Sequence, residues 1–298
     1  MGRGSEGFVN GEDLVSTAEL ADRLDAPDLV VVDTRNTVEV DSRGQFRTVP
    51  GREGFLAGHV PGAVHLDLDE LRDPAEPTSI LPPDRFAEAM EALGVGDDRE
   101  VVVYDTEGGT WAARLWWALR YHGHDRVRLL DGGYVRWVDE DRPVETGPAR
   151  PPAATTFTPR LRPDLRVTTE EVLAALDDPT TVIVDALPRP FYEGRISLYP
   201  GLRAGHIPGA CNVPAPENLD PTTWRLRSPA ELARRWEPLL DGRRRVITYC
   251  GGGVYGAFDL FVLHLLGHDA ALYDGSWEAW AAKDELPIET GPDPRSEP

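Results

Sequence analysis

Apolar residues fall along this chain in short β-branched runs separated by stretches with helical spacing. Runs at 29–33, 101–104 and 127–130 recur as runs at 182–185, 246–249 and 270–273. Continuous apolar runs of this length, bounded by turn residues, predict strands buried on both faces of a mostly parallel sheet. The intervening pattern predicts helices. From Ser228 to Leu239, Ser228 is placed as an N-cap with Pro229 as the first helical residue. From Tyr255 to Leu266, apolar residues stand at Phe258, Phe261, Val262, Leu265 and Leu266, and Gly267 ends the pattern. Strands alternating with helices predict an α/β fold with helices on both faces of each sheet.

The two halves of the pattern are copies. Val30-Val-Val-Asp33 answers Val182-Ile-Val-Asp185, and Ala57-Gly-His-Val-Pro-Gly-Ala63 answers Ala204-Gly-His-Ile-Pro-Gly-Ala210. Val101-Val-Val-Tyr-Asp105 answers Val246-Ile-Thr-Tyr-Cys250, and Leu130-Asp-Gly-Gly133 answers Tyr273-Asp-Gly-Ser276. Arg142-Pro-Val-Glu-Thr-Gly147 closes the series with Leu286-Pro-Ile-Glu-Thr-Gly291. Five matches in one order mark a tandem duplication. The domains expected are 14–147 and 164–291, joined by a proline-rich extended linker over 148–163, with a polar tail from Pro292. In the Gly-His-x-Pro-Gly-Ala segments, Gly and Pro set a bend, so His59 and His206 read as hydrogen-bonded structural residues.

Length and composition fit two globular domains: 298 residues, 41% hydrophobic and 28% charged. No apolar run is long enough to span a membrane, and Met1-Gly-Arg-Gly-Ser-Glu-Gly7 lacks the apolar stretch of a secretory signal, so a cytoplasmic location is expected. A net charge of −20 repels nucleic acid and anionic membranes alike. The two cysteines, Cys211 and Cys250, stand in no metal-ligand spacing, so no metal is expected. Cys211 alternates with Val213 and reads as a core residue.

Cys250 reads differently. An apolar strand ends at the cysteine, Gly251, Gly252 and Gly253 follow, and a helix opens through Val254, Tyr255 and Gly256. The carboxyl end of a strand in an open α/β sheet is where ligands bind. Glycines let successive N–H groups turn inward as an anion nest, and the helix N-terminus adds partial positive charge. Such a site is expected to lower the pKa of the thiol and hold a thiolate or persulfide against the acidic field of the whole chain.

The paired Gly-His-x-Pro-Gly-Ala segments, the strand–Cys–Gly loop and the Asp-Gly-(Gly/Ser)-x-x-x-Trp endings resemble the tandem rhodanese family. That family includes thiosulfate and 3-mercaptopyruvate sulfurtransferases, and the resemblance covers about residues 14 to 291. It implies two rhodanese-like domains, a catalytically silent first one and Cys250 as the catalytic residue of the second. Asp105 stands where Cys250 stands in the other copy, and Thr106-Glu-Gly-Gly109 reads as a poor anion nest. The resemblance further implies ping-pong transfer without a cofactor. Sulfur passes from a small anionic donor to a Cys250 persulfide, then to cyanide or a thiol, a protein thiol included.

Donor choice departs from the family pattern. Thiosulfate enzymes of the family place Arg and Lys after the cysteine, where this chain has Gly251 and Gly252; mercaptopyruvate enzymes place a hydroxyl residue at the second position. The arginines common to both branches fall here on Leu187 and Phe191. Arg189 and Arg195 can supply a guanidinium from shifted positions, and Arg35 and Asp67 are candidates for a cleft wall from the first domain. Thiosulfate is expected slightly ahead of 3-mercaptopyruvate. Two rival readings are a phosphatase and a non-catalytic sulfur-carrier or regulatory binding module. The phosphatases that share this fold require a cysteine, five residues and then an arginine, and position 256, six beyond Cys250, is glycine.

Overall fold

The computed structural model describes residues 7–40 and 46–293. The N-terminal stretch to Glu6, and the polar tail beyond Asp293, lie outside the described residues. Two five-stranded sheets, each wholly parallel, carry the two copies. Across the first, the strands run Leu14–Val15, Val127–Leu130, Glu100–Tyr104, Leu29–Asp33 and Val64–His65. Across the second they run Arg166–Val167, Ala271–Tyr273, Arg245–Tyr249, Thr181–Asp185 and Cys211–Asn212. The order is the same in both, as duplication requires. The predicted strands are all present, with ends shifted by a residue.

Helix boundaries follow the sequence closely. Pro229–Leu240 is capped by Ser228, whose hydroxyl accepts from the Glu231 N–H while the Glu231 carboxylate accepts from the Ser228 N–H. The helix Val254–Leu265 begins one residue before the predicted start, after Gly253 at φ 84°. The linker has no regular structure from 148 to 162 and lies against the first domain. Its Phe157 is buried beside Phe86, and its Arg160 and Arg162 N–H groups bond the carbonyls of His122 and Tyr121.

The Gly-His-x-Pro-Gly-Ala bends repeat atom by atom. His59 stacks on Phe55 and His206 on Tyr192, at 3.9 and 3.7 Å between ring centres. Each Nδ1 lies under 3 Å from the carbonyl of its stacking partner, and each backbone N–H bonds a glutamate carbonyl, Glu145 or Glu289. These histidines hold the bend in place, as read from the sequence.

The domains meet through one continuous core. The helix Ala112–Tyr121, which follows the Asp105 loop, packs on Val254–Leu265, which follows the Cys250 loop, with Trp116 edge-on to Phe261 at 4.9 Å. Two ion pairs cross the seam in mirror fashion: Arg114 to Asp274 at 2.5 Å and Arg225 to Asp131 at 3.1 Å. Both aspartates belong to the repeated Asp-Gly motif. Because the two helices face each other, so do the loops at their N-termini. No helix among the described residues is long and apolar enough to cross a membrane.

Candidate active site

Cys250 directly follows the strand Arg245–Tyr249 and is 3% exposed. The Gly253 N–H donates to its Sγ at 3.1 Å. A second segment clamps the loop from outside. The Ser276 hydroxyl accepts from the Cys250 N–H at 3.2 Å, and the Trp277 and Glu278 N–H groups bond the carbonyls of Cys250 and Gly251. Ser276 holds a left-handed φ of 51°, a conformation unusual for a residue with a side chain and maintained by its own hydrogen bonds. The matching residue in the first domain is Gly133, at φ 57°.

The expectation of a lowered thiol pKa needs correction. Burial pushes the Cys250 thiol above its ordinary value, the N–H groups of Gly256, Gly252 and Gly253 pull it down, and Asp185 adds to the rise. The nest exists. Its effect on the bare thiol is outweighed by loss of solvent, which disfavours the charged form.

The glycines also need a second account. Among 251–253 only Gly253 has a positive φ and is required by the backbone. Gly251 and Gly252 make room: a Cβ on 251 would meet Leu198 Cδ2 at 2.3 Å, and one on 252 would meet Arg72 Nη2 at 2.8 Å. Gly256 lets the helix approach the strand, since a Cβ there would stand 3.0 Å from the Tyr249 backbone. An arginine at 256 would have no room, which removes the phosphatase arrangement.

Cys250 opens into a cavity of 590 Å³ at the seam between the domains. Gly251, Gly252, Val254 and Tyr255 line it from the loop, and Leu187, Pro188, Phe191, Leu198 and Tyr199 form an apolar wall. The first domain contributes Trp111, Asp69 and Arg72, and Glu278 closes one side. The four charge-bearing positions proposed from sequence lie elsewhere. Arg189 faces Glu217 at 3.8 Å and Arg195 binds Glu193 at 2.5 Å, both on the surface. Arg35 is buried in the first domain, bound to Asp33 and stacked on Tyr134 at 4.2 Å. Asp67 caps a turn by accepting from the Asp69 N–H. None of the four lines the cavity, because each has a nearer partner within its own domain.

What the sequence reading missed is Arg72. It sits at the start of an antiparallel hairpin, Arg72–Asp73 with Glu76–Ile80, that no apolar run announces. The Ile80 N–H bonds the Asp274 carboxylate at 2.7 Å and pins this hairpin to the second domain.

The first-domain loop is also different from expectation. The Asp105 carboxylate accepts from four N–H groups, those of Glu107, Gly109, Trp111 and Ala112, at 2.7–2.9 Å. The segment after Asp105 is therefore a well-formed anion nest, already filled by the chain's own carboxylate.

A rhodanese-like domain model matches residues 16–140 and again 168–283. The chain belongs to the rhodanese family. It is 36% identical to 3-mercaptopyruvate sulfurtransferase of Escherichia coli over 280 residues, covering 91% of this chain and 95% of the relative. It is also 36% identical to bovine thiosulfate sulfurtransferase over 241 residues, covering 78% of this chain and 80% of that one. The solved structure of SseA from Escherichia coli, described as having the rhodanese fold, superposes with a TM-score of 0.76 at 33% identity, covering 89% of this chain and 98% of SseA. The two-domain α/β architecture and membership in a group of sulfurtransferases thus agree with the resemblance read from the sequence.

Proposed function

We propose that this rhodanese-family chain moves a sulfane sulfur from a small anionic donor through a persulfide on Cys250 to a nucleophilic acceptor. The observation that carries the reading is a single cysteine at the base of an inter-domain cavity, with the Gly253 N–H on its sulfur and the loop clamped from behind. The thiolate of Cys250 attacks the outer sulfur of thiosulfate. A new S–S bond forms at Cys250, the S–S bond of the donor breaks, and its electron pair leaves with sulfite. The resulting persulfide carries its charge on the outer sulfur, which extends from the buried Sγ towards the cavity. Cyanide or a thiol, including a protein thiol, takes that sulfur and restores the thiolate.

Thiosulfate stands ahead of 3-mercaptopyruvate because a guanidinium, and no side-chain hydroxyl at 252, flanks the loop. The first domain is catalytically silent in this reading, since a carboxylate at 105 holds no transferable sulfur. Cys250→Ser should abolish thiocyanate formation from thiosulfate and cyanide, while Cys211→Ala, altering a buried strand residue, should retain it. Turnover surviving in Cys250→Ser would overturn the proposal.

A further inference from the structure

Position 252 carries no side chain, yet the space beside it is taken. A Cβ there would stand 2.8 Å from Arg72 Nη2, 3.1 Å from the Tyr199 hydroxyl and 3.5 Å from Glu278 Oε2. The backbone at 252 is not left-handed, so glycine serves there to admit the guanidinium. Arg72 is held from several sides. Its Nη1 donates to the Pro77 carbonyl at 2.9 Å and to Glu278 at 3.0 Å, and its Nε lies 3.3 Å from Asp69. Among the described residues lining the cavity, Arg72 is the one cation.

We propose that Arg72, delivered across the domain seam, is the donor-binding residue that selects a small sulfonate-type anion such as thiosulfate. With Nη1 and Nε already facing acceptors, the guanidinium presents Nη2, the nitrogen beside position 252, as a charged donor to a sulfonate oxygen. Its place against the Cys250 loop lets it hold that oxygen while the outer sulfur meets Cys250. The Tyr199 hydroxyl supplies a neighbouring donor. Asp69 and Glu278 orient the guanidinium but also oppose an incoming anion, which limits affinity.

This inference rests on the reading of Cys250 as sulfur acceptor. Thiosulfate and sulfite are both dianions, so Arg72 meets the same charge before and after transfer. Its removal should therefore act on KM more than on kcat.

The test is steady-state thiosulfate kinetics on the full chain. Arg72→Ala should raise KM by about tenfold or more, the worth of a hydrogen bond to a charged group, with kcat changed much less. Arg72→Ala combined with Gly252→Lys should recover part of the loss, because the lysine stem enters the vacated space from the other domain. Glu278→Gln should lower KM, a change that a merely structural role for Arg72 does not produce. Alkylation of Cys250 by neutral iodoacetamide, at a pH where the thiol is ionised in each protein, should be unaltered in Arg72→Ala. An unchanged KM in Arg72→Ala, or an equal loss of alkylation, would overturn the assignment to Arg72 alone. Failure of the unsubstituted protein to take sulfur on Cys250 would instead remove the reading of Cys250 and this inference with it.

Discussion

Asp105 occupies in the first domain the position that Cys250 occupies in the second, and its carboxylate fills the ring of N–H groups there. Four bonds of 2.7–2.9 Å hold it, from Glu107, Gly109, Trp111 and Ala112. The carbonyl of each residue is bound in turn by the matching N–H, Tyr134 or Trp277, at 2.8 and 2.9 Å. The clamp behind the loop is thus the same in both domains, but the loops differ in length: helix Ala112–Tyr121 begins seven positions after Asp105, and helix Val254–Leu265 four positions after Cys250. A carboxylate that fills its own nest has a structural use and leaves no room for an outside anion.

Asp105→Ala leaves four buried donors without their acceptor. The expected cost is about 3 kcal/mol, since each unsatisfied buried group is expensive. Urea unfolding of the variant against the unsubstituted protein measures it. A stability unchanged within error would show that the carboxylate does not hold the loop.

Cys250 should react as a thiol whose burial keeps it protonated. Burial raises its pKa, and the N–H groups of Gly256, Gly252 and Gly253 offset part of that rise. The thiolate fraction, and hence the rate of alkylation by iodoacetamide, should still be climbing with pH beyond the range where an exposed cysteine ionises, near 8.5. A rate that levels off below that value would mean the nest outweighs burial after all.

Asp185 offers a pH test of stability. Its counterpart Asp33 is bound by Arg35, but Leu187 stands in the arginine's place in the second domain. Burial pushes the Asp185 carboxyl up to about 7, against the Leu187 N–H and the Tyr249 hydroxyl, which pull it down. The folded chain therefore keeps a proton that the unfolded chain releases near 4, and stability falls as pH rises from about 4 to about 7. The shift corresponds to a few kcal/mol, roughly 4 at most. Asp185→Asn removes this dependence, so the variant should gain stability relative to the unsubstituted protein between pH 5 and pH 8, read by urea unfolding at each pH. A difference constant across that range would contradict the shifted carboxyl.

The repeat, the central strands and the cysteine loop are legible in the sequence because each leaves a local mark. Val30-Val-Val-Asp33 and Val182-Ile-Val-Asp185 announce central strands, Ser228 with Pro229 announces a helix start, and glycines beside Cys250 announce a bend. Arg72 leaves no such mark. It reaches the site from a hairpin 178 positions before Cys250, brought there by the packing of helix Ala112–Tyr121 on Val254–Leu265 and by the bond from the Ile80 N–H to Asp274. The rise in the Cys250 pKa is equally hidden, since desolvation depends on everything packed around the sulfur. Glycine itself is ambiguous in a sequence: at 253 it answers a backbone angle, at 251 and 252 it answers the side chains of Leu198 and Arg72.

The central claim is that sulfur resides on Cys250 between donor and acceptor. Intact-mass measurement after exposure to thiosulfate, and separately to 3-mercaptopyruvate, with removal of excess donor, examines it directly. The expected result is a gain equal to one sulfur atom, lost on adding cyanide, absent from Cys250→Ser and retained in Cys211→Ala. No gain with either donor, or a gain that persists in Cys250→Ser, would contradict the account.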